Sequence, residues 1–195
     1  MTEIVFQPYV GPTYRTTAVR VLILGESHYG EPHFDPAEAT RHVVRMWLDR
    51  EWPIRYLTVA ARLLTGLEAW QIDRCHAFSA VAFYNFIQMM MADISVRPTP
   101  AQAAVSCGAF REILTSLDPT HVLATGQRFL WDNMPTSDEA APEVLLGGVV
   151  LPYREYQTPS GVAMVIAIPH LSRASANQWR PPVAEFLRLS PLIRV

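Results

Sequence analysis

The stretch that most constrains this chain is Val19-Arg20-Val21-Leu22-Ile23-Leu24-Gly25-Glu26-Ser27-His28-Tyr29-Gly30. An apolar, β-branched run of this length that stops at a glycine reads as a buried strand, central in a parallel sheet. Gly25 lets the backbone turn sharply away from the strand end. In open parallel sheets, ligands sit outside the carboxyl ends of the strands. Glu26, Ser27, His28 and Tyr29 therefore stand where such a fold does its chemistry.

The rest of the chain alternates in the same sense. Asp35-Pro36 predicts a helix start, with Asp as cap and Pro in the first turn, running to about Arg50. Pro53 opens a second helix to about Leu64, closed by Gly66. Residues 77–84 read as a second strand, leading into Asn85-Phe86-Ile87-Gln88, and Met89 to Met91 read as packing residues. Thr99 is placed to cap a helix over about 100–117, and a third strand follows at 120–124, with Thr125-Gly126-Gln127 as its exit. Residues 132–148 read as a loop carrying Asp132, Asp138, Glu139 and Glu143. Two strand-like runs, 149–156 and 162–168, flank a turn, and a final helix over about 174–189 carries an interruption at Pro181-Pro182. This order predicts a single domain over 1–195: a three-layer α/β/α sandwich with a largely parallel central sheet of about four strands.

Composition narrows the function classes. A length of 195 residues, half of them apolar, is enough for one buried core. No apolar run reaches about 18 residues, so no membrane-spanning helix is expected. Met1-Thr2-Glu3 lacks the basic start of a secretory signal, and Cys75 and Cys107 form no metal or redox motif. The expectation is a reduced, cytoplasmic, monomeric protein. A net charge of −2 argues against a generally adhesive nucleic-acid binder, although all 16 basic residues are Arg, some of them grouped in 41–62 and near the C-terminal end, with Arg194 the last. Glycine-rich nucleotide motifs are missing: Gly25 to Gly30 has neither the Gly-Lys-Ser/Thr ending nor a third glycine.

Four strand exits carry chemistry: Glu26 to Tyr29, Asn85 with Gln88, Gly126-Gln127, and His170-Leu171-Ser172-Arg173-Ala174-Ser175. In parallel strands they meet at one edge. In order and spacing these stretches resemble the uracil-DNA glycosylase superfamily over about residues 19–188. Its members have strands ending in a motif such as Gly-Gln-Asp-Pro-Tyr-His, in Asn, in a Gly-containing exit and in His-Pro-Ser-Pro-Leu-Ser. The resemblance implies a base flipped out of DNA and read on its Watson–Crick edge. It implies that His170 donates a hydrogen bond to the departing base anion and that Asn85 reads the base through its amide. Tyr29 would wall the pocket after Gly25 and His28, Phe34 would stack on the base, and Ser172 and Ser175 would bind phosphates. No cofactor is implied, and the partner is DNA or a free nucleobase or nucleotide.

The chain departs from that pattern at one place. The family's aspartate aligns with Ser27 and the following proline with His28, leaving Glu26 as the nearby carboxylate. Three other readings stay open: a nucleobase or nucleic-acid binding module without the water-activating acid, a hydrolase unrelated to DNA, and a metal site at Glu26, His28, His33 and His170. The hydrolase lacks a Gly-x-Ser-x-Gly elbow, and the metal reading has irregular ligand spacing.

Overall fold

The computed structural model describes residues 4–30, 33–137 and 143–190. The strands are Tyr9–Val10 (β1), Val21–Gly25 (β2), His28–Tyr29 (β3), Val81–Asn85 (β4), Met90–Met91 (β5), His121–Thr125 (β6), Glu143–Leu146 (β7), Val149–Thr158 (β8) and Gly161–Ile168 (β9). The helices are Ala39–Leu48 (α1), Arg55–Thr65 (α2), Arg74–Ser79 (α3), Pro100–Leu117 (α4), Phe129–Asn133 (α5) and Ala176–Phe186 (α6).

Among the described residues the central sheet has seven strands, in the order β1-β4-β2-β6-β9-β8-β7. Its middle is a parallel quartet, β4-β2-β6-β9, with Val21 opposite both Val81 and His121, and His121 opposite Met164. Antiparallel strands extend it on both sides, β1 beside β4 and the β8–β7 pair beside β9. The expectation of about four strands therefore covers the parallel middle and falls short of the whole sheet. Two-residue β1 is too short to give a periodicity. Strand β7 lies in the run read as an acidic loop: it is only four residues long, begins at Glu143 and follows a stretch rich in Asp, Glu and Pro.

The quartet is apolar on both faces because both are covered. Val21 and Ile23 pack with Val44 and Trp47 of α1, Leu57 and Leu63 of α2, Phe78 of α3 and Val183 and Phe186 of α6. Leu22 and Leu24 face the other way, onto Phe110, Ile113 and Leu114 of α4 and Leu130 of α5.

Local chemistry sets the element ends. Thr99 and Gln102 form a reciprocal capping box at the start of α4, beside Pro100 in the first turn. Asp73 accepts from the His76 amide at 3.1 Å and starts α3, so residues 77–79, read as the start of a strand, are helical. α6 continues through Pro181 and Pro182. The Gly147 turn, in a left-handed conformation, seats against that proline pair, and its amide donates to Glu185 Oε2 at 2.6 Å. Asp138, Glu139 and Arg194 lie outside the described residues, as do Glu31 and Pro32 of the loop after Gly30. No described helix is long and apolar enough to cross a membrane.

Candidate functional site

Gly25, Asn85 and Ile168 close β2, β4 and β9 at the same edge of the sheet. At the first two, the Asn85 side chain folds back over the neighbouring strand. Its Cγ lies 3.2 Å, and the Phe83 ring 3.3 Å, from where a β-carbon at position 25 would stand, and the carboxamide oxygen is closer still. Gly25 is thus required by close approach, while its own backbone does not line the cleft. The two exits run on together: Phe86 and Ile87 donate their amides to the carbonyls of Gly25 and Glu26, both at 2.9 Å. β3 then pairs in parallel with β5 as a separate two-stranded sheet, and the Gly30 amide donates to Met91 O at 2.8 Å.

Between these exits and α1 and α2 lies a cleft of about 860 Å³. It brings together Glu26, Ser27, His28, Tyr29, Phe34, Asn85, His170 and Ser172. Ser175 is the residue before α6, without a side-chain capping bond, and is not in the lining. Gln88 is turned away as a clamp. Its Oε1 accepts from the amides of Val5 and Phe6 at 3.0 and 3.1 Å, and its Nε2 donates to Asn85 O at 2.8 Å. At the third exit, Gln127 donates to Ala167 O at 3.2 Å, a bond that fastens adjacent strands. Of the methionines, Met91 is buried packing and Met90 lines the cleft.

His170 has a defined tautomer. The Ser172 amide donates to its Nδ1 at 3.3 Å, so the proton of the neutral ring is on Nε2. Burial holds the imidazole neutral, lowering its pKa, and the Arg173 and Arg97 guanidiniums push in the same direction. The ring leans on Tyr56, 5.4 Å between centroids, and Tyr56 leans on Phe83 at 5.6 Å. The Thr125 hydroxyl is spent on Leu24 O at 2.9 Å, so Tyr56 donates to Thr125 Oγ1 at 2.6 Å. His170 therefore presents an N–H donor from a locked aromatic stack.

The Glu26 carboxylate lies 3.7 Å from the Arg97 guanidinium. Burial raises its pKa, and Arg97 works against that rise. The Ser27 hydroxyl beside it is buried with no hydrogen-bond partner among the described residues. His28 is a wall held from behind: its Nε2 shares a 2.8 Å hydrogen bond with the Thr40 hydroxyl, and Phe6 packs edge-on at 5.0 Å. Burial pulls its pKa down to about 4. Phe34 stacks on His42 with centroids 4.2 Å apart.

No group of three or more His, Cys, Asp or Glu side chains among the described residues is arranged to hold a metal. The set Glu26, His28, His33 and His170 thus lines one cleft without converging on a point. Reasoning from strand exits missed Tyr56 on α2, Trp52 before it and Arg97 in the turn before α4, all of which line the cleft. Arg173 stands within the fourth exit motif and lines it too. Chemically, the cleft offers a buried carboxylate, an amide that both donates and accepts, an imidazole N–H donor and aromatic walls. Comparison with protein-family models and with curated proteins finds no match to this chain.

Proposed function

We propose that this chain is a uracil-DNA glycosylase-like protein, whose cleft takes a base extruded from DNA and hydrolyses its N-glycosidic bond. The observation that carries the reading is the meeting of Glu26, Asn85 and His170 in one cleft at the carboxyl ends of parallel β2, β4 and β9. In this reading Asn85 pairs with the base edge. The bond between the sugar carbon and the base nitrogen breaks, its electron pair stays on the base, and Nε2–H of His170 stabilises the resulting anion. Glu26 stabilises the cationic sugar and orients the water that adds to it, taking up the water's proton. Ser27, at the family's aspartate position, gives a hydroxyl but no charge.

A specific observation also favours a second reading. Glu26 is partly committed to Arg97, and burial raises its pKa, which weakens it as an anion. A non-catalytic module that binds a nucleobase through Asn85 and His170 is consistent with that. Base release from uracil- and lesion-containing DNA decides between them. Release that is lost in Asn85→Ala, His170→Ala and Glu26→Gln supports hydrolysis; binding without release supports the module.

A further inference from the structure

The cleft is larger than one base requires. About 860 Å³ lies toward the upper end of the range of about 300–1,000 Å³ typical of whole small-molecule sites. Its mouth is also unlike its floor. Trp52 and Ile94 line it while remaining 55% and 79% exposed. Two guanidiniums, Arg97 and Arg173, line the same opening. The Arg173 side chain makes no hydrogen bond or ion pair among the described residues, and Arg97 makes only the 3.7 Å contact with Glu26. Their fields converge on His170, since both lower its proton affinity. The arginines of α1 and the first of α2 are engaged within the chain. Arg55 donates to Ser172 O at 2.9 Å, and Arg41 and Arg45 pair with Glu38.

We infer that the cleft takes its base from a single-stranded segment of nucleic acid, with a neighbouring base stacked on Trp52 and the adjoining phosphates held by Arg97 and Arg173. This rests on the base-binding reading of the same site and adds what flanks the base. An exposed indole can stack only a base that is not already stacked, which a single strand offers at low cost. Two guanidiniums, Arg173 without a partner among the described residues and Arg97 held only by its 3.7 Å contact with Glu26, make on a chain of net charge −2 a footprint of one or two phosphates, too small to grip both backbones of a duplex.

The test uses the full chain and fluorescence anisotropy with a labelled ten-nucleotide single strand containing one deoxyuridine, and the same sequence as duplex. The strand is expected to bind at least tenfold more tightly than the duplex. Trp52→Ala is expected to weaken strand binding about tenfold and Trp52→Phe to restore most of it. Arg97→Gln and Arg173→Gln should each lower the slope of log affinity against log salt by about 0.7. No strand binding, equal duplex binding, or a strand affinity untouched by Trp52→Ala overturns the inference. Trp52-dependent strand binding without base release leaves it standing while hydrolysis fails. Base release from strand and duplex alike, insensitive to Trp52→Ala, overturns it while hydrolysis stands.

Discussion

The Asn85 side chain occupies the space that a β-carbon on Gly25 would need, so the residue ending one strand is positioned by the missing side chain of the next strand. This makes Gly25 a positioning residue for the amide. Gly25→Ala is expected to cost about 1–3 kcal/mol of stability, as overpacking does. It should also weaken base binding about as much as Asn85→Ala. The double variant should bind no worse than either single variant, because both changes remove the same amide from the cleft. Thermal melts and a binding titration of the four proteins check this; additive losses in binding would separate the two residues.

The Glu26–Arg97 pair sets a pH dependence. Arg97 favours the charged carboxylate, so Arg97→Gln removes that help and raises the Glu26 pKa further. If Glu26 acts ionised, the acid limb of the pH–rate profile moves to higher pH in this variant. Glu26→Gln is expected to lower base release at least about 100-fold, without loss of thermal stability at neutral pH, since a buried charge is removed. An acid limb that stays in place in Arg97→Gln would show that the limb belongs to another group.

His28 couples stability to acid. Its pKa falls from 6.5 to about 4 on folding, so the unfolded chain binds the proton more readily. The folded state keeps this contribution above about pH 6.5 and loses it as pH falls towards 4, a change of about 3 kcal/mol. His121, buried against Phe186 and sharing hydrogen bonds with Thr120 and Leu189, shifts in the same direction. Urea midpoints at pH 7, 5.5 and 4.5 should fall more steeply for the parent than for His28→Gln. Parallel curves would remove His28 from the account.

Gln88 has a structural consequence. It ties residues 5 and 6 to the end of β4 through buried bonds on both ends of its amide. Gln88→Ala leaves those backbone groups unsatisfied and is expected to cost about 2–4 kcal/mol. Chemical denaturation reads this directly. The test fails if the variant unfolds at the parent's denaturant midpoint.

The sequence carried the parallel middle of the fold because its strands are continuous apolar runs closed by punctuating residues, as Leu24-Gly25 and Tyr84-Asn85 are. The α4 boundaries were equally legible, since Thr99, Pro100 and Gln102 are a complete start signal. Residues 77–79 were misread because a buried helical turn and a buried strand have the same apolar content over so few residues. The exits located one end of the cleft. Its mouth was not legible: Trp52, Tyr56 and Arg97 come from a helix and from turns, and only the chain's path brings them opposite His170.

The small ladder between His28–Tyr29 and Met90–Met91 is followed by a segment that reaches back to the cleft. The ladder holds one end of the segment that follows it, and the Thr99 cap of α4 holds the other. Residues 92–97 between them are exposed and span two anchored ends. That segment carries Ile94 and Arg97 to the opening, so a change in its length would re-aim the rim and the counter-ion of Glu26 together.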